Sequence, residues 1–399
     1  MRFIGIISIL CLAQMVSAGE WSRFRGPNGA GYSDIEIPAK WTKSNFKWDV
    51  KLPATGHGSP VVSGHRIFLL CGDESSGARI PICIDAKDGS TLWQHRIADT
   101  VNKHHKFNAV ASTTPALDDK QVYFTWGTEK AVTVAAYTLD GGAVWTRKLA
   151  GVTEGHGFGA SPMIYKDLVI LNRDQKENGE WLALNAVDGK IAWRLPRKSQ
   201  RISYSTACIF NEQLILNNWQ HGVTGIDPAT GKVLWEKSVY DTSTNERAIS
   251  SPVVAKDLVL ATCGFTKNPK HCVALRPGKN GKVEEVWRIE RSVPHIPCLL
   301  VHGDWVFLWE DNGIVSCVDH QTGKTLWKER VSGNYFGSPV CANDKIFCID
   351  KAGAVSVIAA SDTFEILAVN ELNDLCRTTP ALANGEMYVR TNTRLMAIR

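Results

Sequence analysis

The chain has 399 residues, 44% of them hydrophobic, and its 45 Lys and Arg against 40 Asp and Glu give a formal net charge of +5. A hydrophobic share of that size supplies a packed core and excludes a disordered chain. So small a cationic excess, scattered along the whole length, excludes a nucleic-acid footprint.

Residues 1–18 read as a secretory signal peptide. Met1-Arg2 gives a positive start, Phe3 to Val16 is mostly apolar, and Val16-Ser17-Ala18 supplies small residues at the cleavage position. The apolar stretch is too short to span a bilayer and no other segment matches it, so no transmembrane segment is predicted. Cys11 follows Leu10 rather than a small residue, which argues against lipid attachment there. The expected location is periplasmic or secreted, in an oxidising space.

Residues 19–399 read as one repeat domain. Asn45 to Leu52, NFKWDVKL, is a lone predicted strand carrying Trp48. After it, short apolar segments open on a Ser/Thr-Pro-like step at Ser59-Pro60, Thr114-Pro115, Ser161-Pro162, Thr206-Ala207, Ser251-Pro252, Ile296-Pro297, Ser338-Pro339 and Thr379-Pro380. The first interval is 55 residues and the rest are 41 to 47. Most units close on Asp-x-x-x-Gly-x-x-x-Trp, as in IDAKDGSTLW with Asp85, Gly89 and Trp93, and IDPATGKVLW with Asp227, Gly231 and Trp235. Trp145, Trp193, Trp287 and Trp327 close other copies, whereas IAASDTFEILA has decayed, with Leu367 or Ala368 near the Trp position.

A period in the forties with several short strands per unit predicts an all-β, eight-bladed β-propeller of four-stranded antiparallel blades. The Asp accepts backbone amides two residues on, the Gly takes positive φ, and the Trp fills the wedge between neighbouring blades. Residues 379–399 supply only three strands, so strand 45–52 is expected to complete that blade and close the ring by joining the two ends. Closure removes exposed sheet edges and favours a monomeric ring.

The cysteines beyond Cys11 include three close pairs: Cys71 and Cys83, Cys263 and Cys272, Cys341 and Cys348. Adjacent strands could bring each within disulfide reach, and free buried thiols are the alternative. No Cys-x-x-Cys or Cys-Cys occurs.

Loops from each outer strand to the next inner strand converge on the mouth of the central channel. The candidate funnel residues there are His57, Asn108, His156, Arg201, Tyr204, Glu246, Arg247, His295, Tyr335 and Arg377. His57, His156 and His295 would form a metal site only if three imidazoles converged within about 2.1 Å of one ion; neither a metal site nor a catalytic set is assigned. Gly155-x-Gly157-x-x-Ala160 precedes a strand rather than a helix, which removes the dinucleotide interpretation. His104-His105-Lys106 reads as a solvated charged loop.

The phrase Asp-x-x-Thr-Gly-Lys-x-x-Trp, in IDPATGKVLW and VDHQTGKTLW, resembles the repeat of pyrroloquinoline-quinone-like (PQQ-like) propellers, over nearly the whole mature chain. That family includes quinoprotein alcohol dehydrogenases and the propeller of the outer-membrane barrel-assembly machinery. WSRFRGPNGAGYS, residues 21–33, is similar to the start of secreted quinone-binding-like repeat proteins. The resemblance implies eight blades. For the dehydrogenase branch it also implies PQQ with calcium in the axial funnel, often against a vicinal disulfide, which this chain lacks. Two functions therefore stand: a non-catalytic envelope scaffold engaging a protein or glycan, and a PQQ-dependent oxidoreductase.

Overall fold

A computed structural model describes residues 20–101, 103–244, 246–265 and 269–399. The proposed signal peptide and Cys11 lie outside the described residues. Eight antiparallel sheets are arranged as blades at 61–94, 116–150, 163–196, 208–237, 253–289, 300–330, 340–371 and 381–398, each a four-stranded meander once Phe46–Lys51 joins the last. Phe46–Lys51 pairs with the C-terminal strand, Asp49 opposite Met396 and Lys51 opposite Arg394, so the ring is closed by the two ends of the chain.

One register repeats through the blades. Each outer-strand Trp lies opposite a small residue on the third strand: Trp93 opposite Cys83, Trp145 opposite Ala136, Trp193 opposite Ala183, Trp235 opposite Gly225, Trp287 opposite Ala274, Trp327 opposite Cys317 and Trp48 opposite Ala397. The indole needs that space, since a Cβ on Gly225 would sit 2.2 Å from the Trp235 ring nitrogen. The ring then leans on the turn glycine of the following blade. Cβ atoms built on Gly141, Gly189, Gly231 and Gly323 meet Trp93, Trp145, Trp193 and Trp287 within 2.5–2.8 Å, and these glycines hold φ between 65° and 91°. Most indole N–H groups bond a carbonyl in that same next blade, Trp93 to Leu139 at 3.0 Å and Trp287 to His320 at 2.8 Å. Trp235 instead bonds Gln213 of its own blade, because the following turn is enlarged by Lys279–Gly281.

The decayed blade is repaired from a distance. Ala368 stands in the Trp register, opposite Val357 and then Phe347. Trp41, 6% exposed, stacks on Phe347 at 6.3 Å, held by its backbone amide on Asn370 Oδ1 at 3.1 Å.

The cysteine pairs do not form disulfides: all ten described cysteines are free and buried. Register is the reason. Cys71 and Cys83 are opposite Ile80 and Phe68 and belong to different core clusters, as do Cys263 and Cys272. Cys341 and Cys348 share a face but are opposite Ile346 and Ser356, a diagonal offset too long for an S–S bond.

The Ser/Thr of each opening has a role in the ring. Backbone N–H groups donate to the next blade's side chain: Ser59 to Thr114, Thr114 to Ser161, Thr206 to Ser251, Ser338 to Thr379 and Thr379 to Ser59, all at 2.9–3.0 Å. At the sixth blade the ring member is Cys298, which accepts from Ser251 N at 3.3 Å and donates its amide to Ser338 Oγ at 3.0 Å. The expected opening at Ile296-Pro297 is thus two residues early; the inner strand begins at Leu300, which puts Cys298-Leu299 in the Ser-Pro position.

Residues 20–33 cross the far end of the channel. Glu20–Trp21 pairs with the first blade, Leu117 N donates to Ser22 O, Arg23 bonds Ala207 O at 2.6 Å, Asn28 exchanges bonds with Ile209, and Tyr32–Ser33 runs parallel to the seventh blade. These contacts reach four blades beneath the hydroxyl ring.

Candidate functional site

In a four-stranded meander, the outer-to-inner loops and the loops joining second and third strands open on the same face. Together they wall a funnel of about 660 Å³. Of the sequence-predicted residues, His57, Asn108, His156, Tyr204, Arg247, His295, Tyr335 and Arg377 line it. Glu246 does not: it is fully buried, taking the Thr244 hydroxyl at 2.7 Å. Arg201 is not among the lining residues; its guanidinium lies 4.9 Å from the Phe265 ring centroid.

The structure brings several candidates into pairs. Arg377 Nη1 is 3.2 Å from His57 Nε2, and Arg247 Nη2 is 2.9 Å from His156 Nε2. Burial, then the adjacent guanidinium, pushes His57 down to about 3 and His156 to about 4, so both imidazoles are neutral at neutral pH and accept from arginine. Asn108 Nδ2 donates to the His156 carbonyl at 2.7 Å, and His105 stacks on His156 with centroids 5.4 Å apart. Tyr204 donates to Gly157 O at 3.1 Å, and burial raises its phenol. Tyr335 spends its hydroxyl on Ser332 O and Ser356 Oγ.

His295 is 8% exposed, its Nε2 has no hydrogen-bond partner, and burial followed by Lys270 lowers its pKa to about 3. Its backbone N–H and that of Ile296 occupy both oxygens of Asp311, at 2.8 and 3.1 Å.

Sequence reasoning missed His105, Phe107, Phe265, Lys270, Asp311, Phe336 and Lys351, all of which line the funnel. Phe265, Lys270, Asp311 and Lys351 lie in loops between second and third strands, whose shared face follows from the meander itself. Phe107 comes from the surplus of the 55-residue interval: this loop reaches across the funnel so that Phe107 meets Phe336 of the seventh blade's approach at 5.1 Å. Lys351 Nζ lies 5.3 and 5.5 Å from those two rings, and the Arg377 guanidinium 5.4 and 5.8 Å.

These residues do not fit a calcium–quinone pair. The lining carboxylate, Asp311, has both oxygens on amides, and among the described residues no group of three or more His, Cys, Asp and Glu could hold a metal ion. The imidazoles of His57 and His156 face guanidiniums, which repel a cation. Cations also lie within 6 Å of the ring centroids of Phe107, Phe336 and Phe265, where they compete with a stacked quinone for these rings.

The described residues contain no helix long and apolar enough to cross a membrane. The family model described as outer membrane protein assembly factor BamB matches residues 76–281 and 273–398. The outer membrane protein assembly factor BamB of Yersinia pestis is 24% identical over 323 residues, 78% of this chain and 77% of that protein. In fold, the chain is similar to BamB from Moraxella catarrhalis, with a TM-score of 0.67 at 15% identity over 88% of this chain and 98% of that one. It is also similar to the quinohemoprotein alcohol dehydrogenase from Comamonas testosteroni, with a TM-score of 0.70 at 14% identity over 96% and 81%. Repeat phrase, closed eight-bladed ring and a family match over most of the length agree: the chain belongs to the outer membrane protein assembly factor BamB family of PQQ-like propellers.

Proposed function

We propose that this protein is a non-catalytic binding propeller of the cell envelope, periplasmic or secreted after loss of residues 1–18, which engages a protein partner through the funnel face. The observation that carries this reading is how the funnel's reactive side chains are occupied. His57 and His156 accept from arginines, Asp311 holds two amides, and the Tyr204 and Tyr335 hydroxyls bond backbone carbonyls. General acid–base or nucleophilic chemistry needs a base within reach of a reacting proton or nucleophile, and these contacts leave no such pair; His295 Nε2, which has no partner, has no nucleophile hydrogen-bonded to it. The relatives named as outer membrane protein assembly factors support an assembly partner in the envelope.

The quinoprotein reading draws support from the fold likeness to alcohol dehydrogenases. Incubation with PQQ and calcium decides against it if the dialysed protein shows no quinone absorbance and reduces no dye; bound quinone with dye reduction overturns the scaffold reading. The positive test is site-specific photo-crosslinking in the native envelope. A probe at Phe107 on the funnel face should give a discrete adduct identifiable by mass spectrometry, and a probe at Thr230, on the opposite face, should not. Equal labelling from both faces, or none, counts against the proposal.

A further inference from the structure

The funnel carries positive charge that its own residues leave unbalanced. Among the described residues Arg247, Lys351 and Arg377 line it without an ion pair to any carboxylate, and Lys106 adds a cation over Phe107 at the rim. Asp311 and Glu310 both lie against Lys270, at 4.0 and 3.1 Å, while Glu154 and Glu74, which accept the Lys176 and Val110 amides, do not line the funnel, so the lining keeps an excess of cations. Partly buried cations without counter-charges are costly unless a ligand supplies the anion.

The aromatic residues act as mounts for these cations. Lys351 and Arg377 each lie within 6 Å of both Phe107 and Phe336, a cation–π arrangement that fixes a charged head without neutralising it. The neutral imidazoles act likewise, since accepting from Arg247 and Arg377 aims each guanidinium and leaves its charge intact. His295, also among the lining residues, keeps a buried Nε2 without a hydrogen-bond partner. The far end of the channel is crossed by residues 20–33. The funnel's volume falls within the roughly 300–1,000 Å³ of sites that enclose small ligands or a few side chains.

Resting on the partner-binding reading above, we propose that the funnel is a receptor for a carboxylate-rich segment of a partner polypeptide, with Arg377, Lys351 and Arg247 meeting its Asp or Glu side chains. A sugar ring is the less favoured occupant, because glycan sites use an open aromatic face and cations lie within 6 Å of the Phe107, Phe336 and Phe265 rings.

The test is fluorescence anisotropy of the mature full-length chain with labelled hexaglutamate, hexaglutamine and an oligogalacturonate of similar length. Hexaglutamate should bind at low ionic strength and weaken steeply as salt is raised, while hexaglutamine should not bind. The double variant K351Q/R377Q should lose at least tenfold in affinity, and Lys324→Gln, on the opposite face, should leave binding unchanged. Because Arg377 bonds His57, the single variant K351Q, which removes a side chain making no hydrogen bond to its neighbours, guards against misfolding and should lose about threefold with an unaltered thermal midpoint. Absent hexaglutamate binding, equal binding by wild type and variants, or tighter binding of the oligogalacturonate each overturns the proposal. Should the Phe107 crosslink persist while hexaglutamate fails, the acidic-segment inference falls alone; if the crosslink also fails, the partner-binding reading falls with it.

Discussion

Replacing Trp48 by Ala tests whether the ring is held by wedge residues at its seam. Trp48 is 8% exposed, its ring lies against Gly89 of the first blade and 6.1 Å from Tyr388, and its indole donates to Ala86 O at 3.0 Å. Truncating a buried Trp to Ala costs about 3–5 kcal/mol from lost transfer energy and an unfilled cavity, and with both blades fixed by their neighbours the site collapses poorly, which favours the upper half of that range. About 4 kcal/mol is nearly a thousandfold in the unfolding equilibrium. Trp48→Phe keeps most of the ring and loses the indole donor. Since Lys47 Nζ also reaches the Ala86 carbonyl, at 3.1 Å, that acceptor is not orphaned, and the expected cost is about 1 kcal/mol plus a small packing loss. Leu92→Ala, on an outer strand at 44% exposure, is the control, with an expected change within about 0.5 kcal/mol. Equilibrium urea unfolding followed by far-ultraviolet circular dichroism measures all three. A Trp48→Ala cost below about 1 kcal/mol, or one no larger than the Leu92→Ala cost, would refute the wedge argument.

Two further outcomes depend on pH. His57 and His295 hold folded pKa values of about 3 against 6.5 for the free side chain, chiefly through burial, so between those limits the unfolded chain binds more protons. Their contribution is complete above pH 6.5 and is lost as pH falls toward 3, at a ceiling of about 1.4 kcal/mol per pH unit for each; His57→Asn and His295→Asn should each flatten the acid fall of the urea midpoint, and an unchanged slope contradicts the assignment. Cys298 runs the other way from the remaining shifted thiols: despite burial, the neighbouring Arg25 brings it below the ordinary thiol range. With the folded value below the unfolded one, its stabilisation is complete above pH 9 and fades as pH falls through the folded value. The stability gap between wild type and Cys298→Ser should therefore widen from pH 7 to pH 9, and a constant gap rules out the Arg25 interaction as its cause.

The ring was legible because each unit states its own boundaries. Asp85 and Asp227 take the amides of Lys87 and Ala229 at 2.8 Å, and Gly89 and Gly231 take positive φ, so the turn chemistry is local. The missing strand at residues 379–399 was legible by count, and Phe46–Lys51 supplies it. What escaped depends on contacts that no local phrase encodes. Pro297 imitates an opening, while the register is set by Cys298 bonding to Ser251 and Ser338 across blades. Trp41 is far in sequence from the Ala368 site it serves. Cysteines close in sequence suggested pairs, yet Cys83 lies where a small residue must sit opposite a Trp, as does Cys317, which belongs to none of those pairs. In the funnel, the loops before inner strands were found, whereas Phe265, Asp311 and Lys351 required following the meander one turn further.

The seam at Phe46–Lys51 also imposes an order on assembly. Its partner strand, Arg394–Ile398, is made almost 350 residues later, and Tyr32–Ser33 likewise waits for Val340–Ala342. Seven blades draw all four strands from contiguous stretches and can form as the chain emerges, but the first and seventh gain their extra strands and the eighth its fourth only once distant segments meet. The search for these partners spans nearly the whole polypeptide, although loop entropy grows only logarithmically with length. Until they meet, the blade edges at the seam remain unpaired and open to other chains. The clasp is therefore a checkpoint on completion: a ribosome that has not released the last strand holds an open array, and the funnel acquires its full wall only after release.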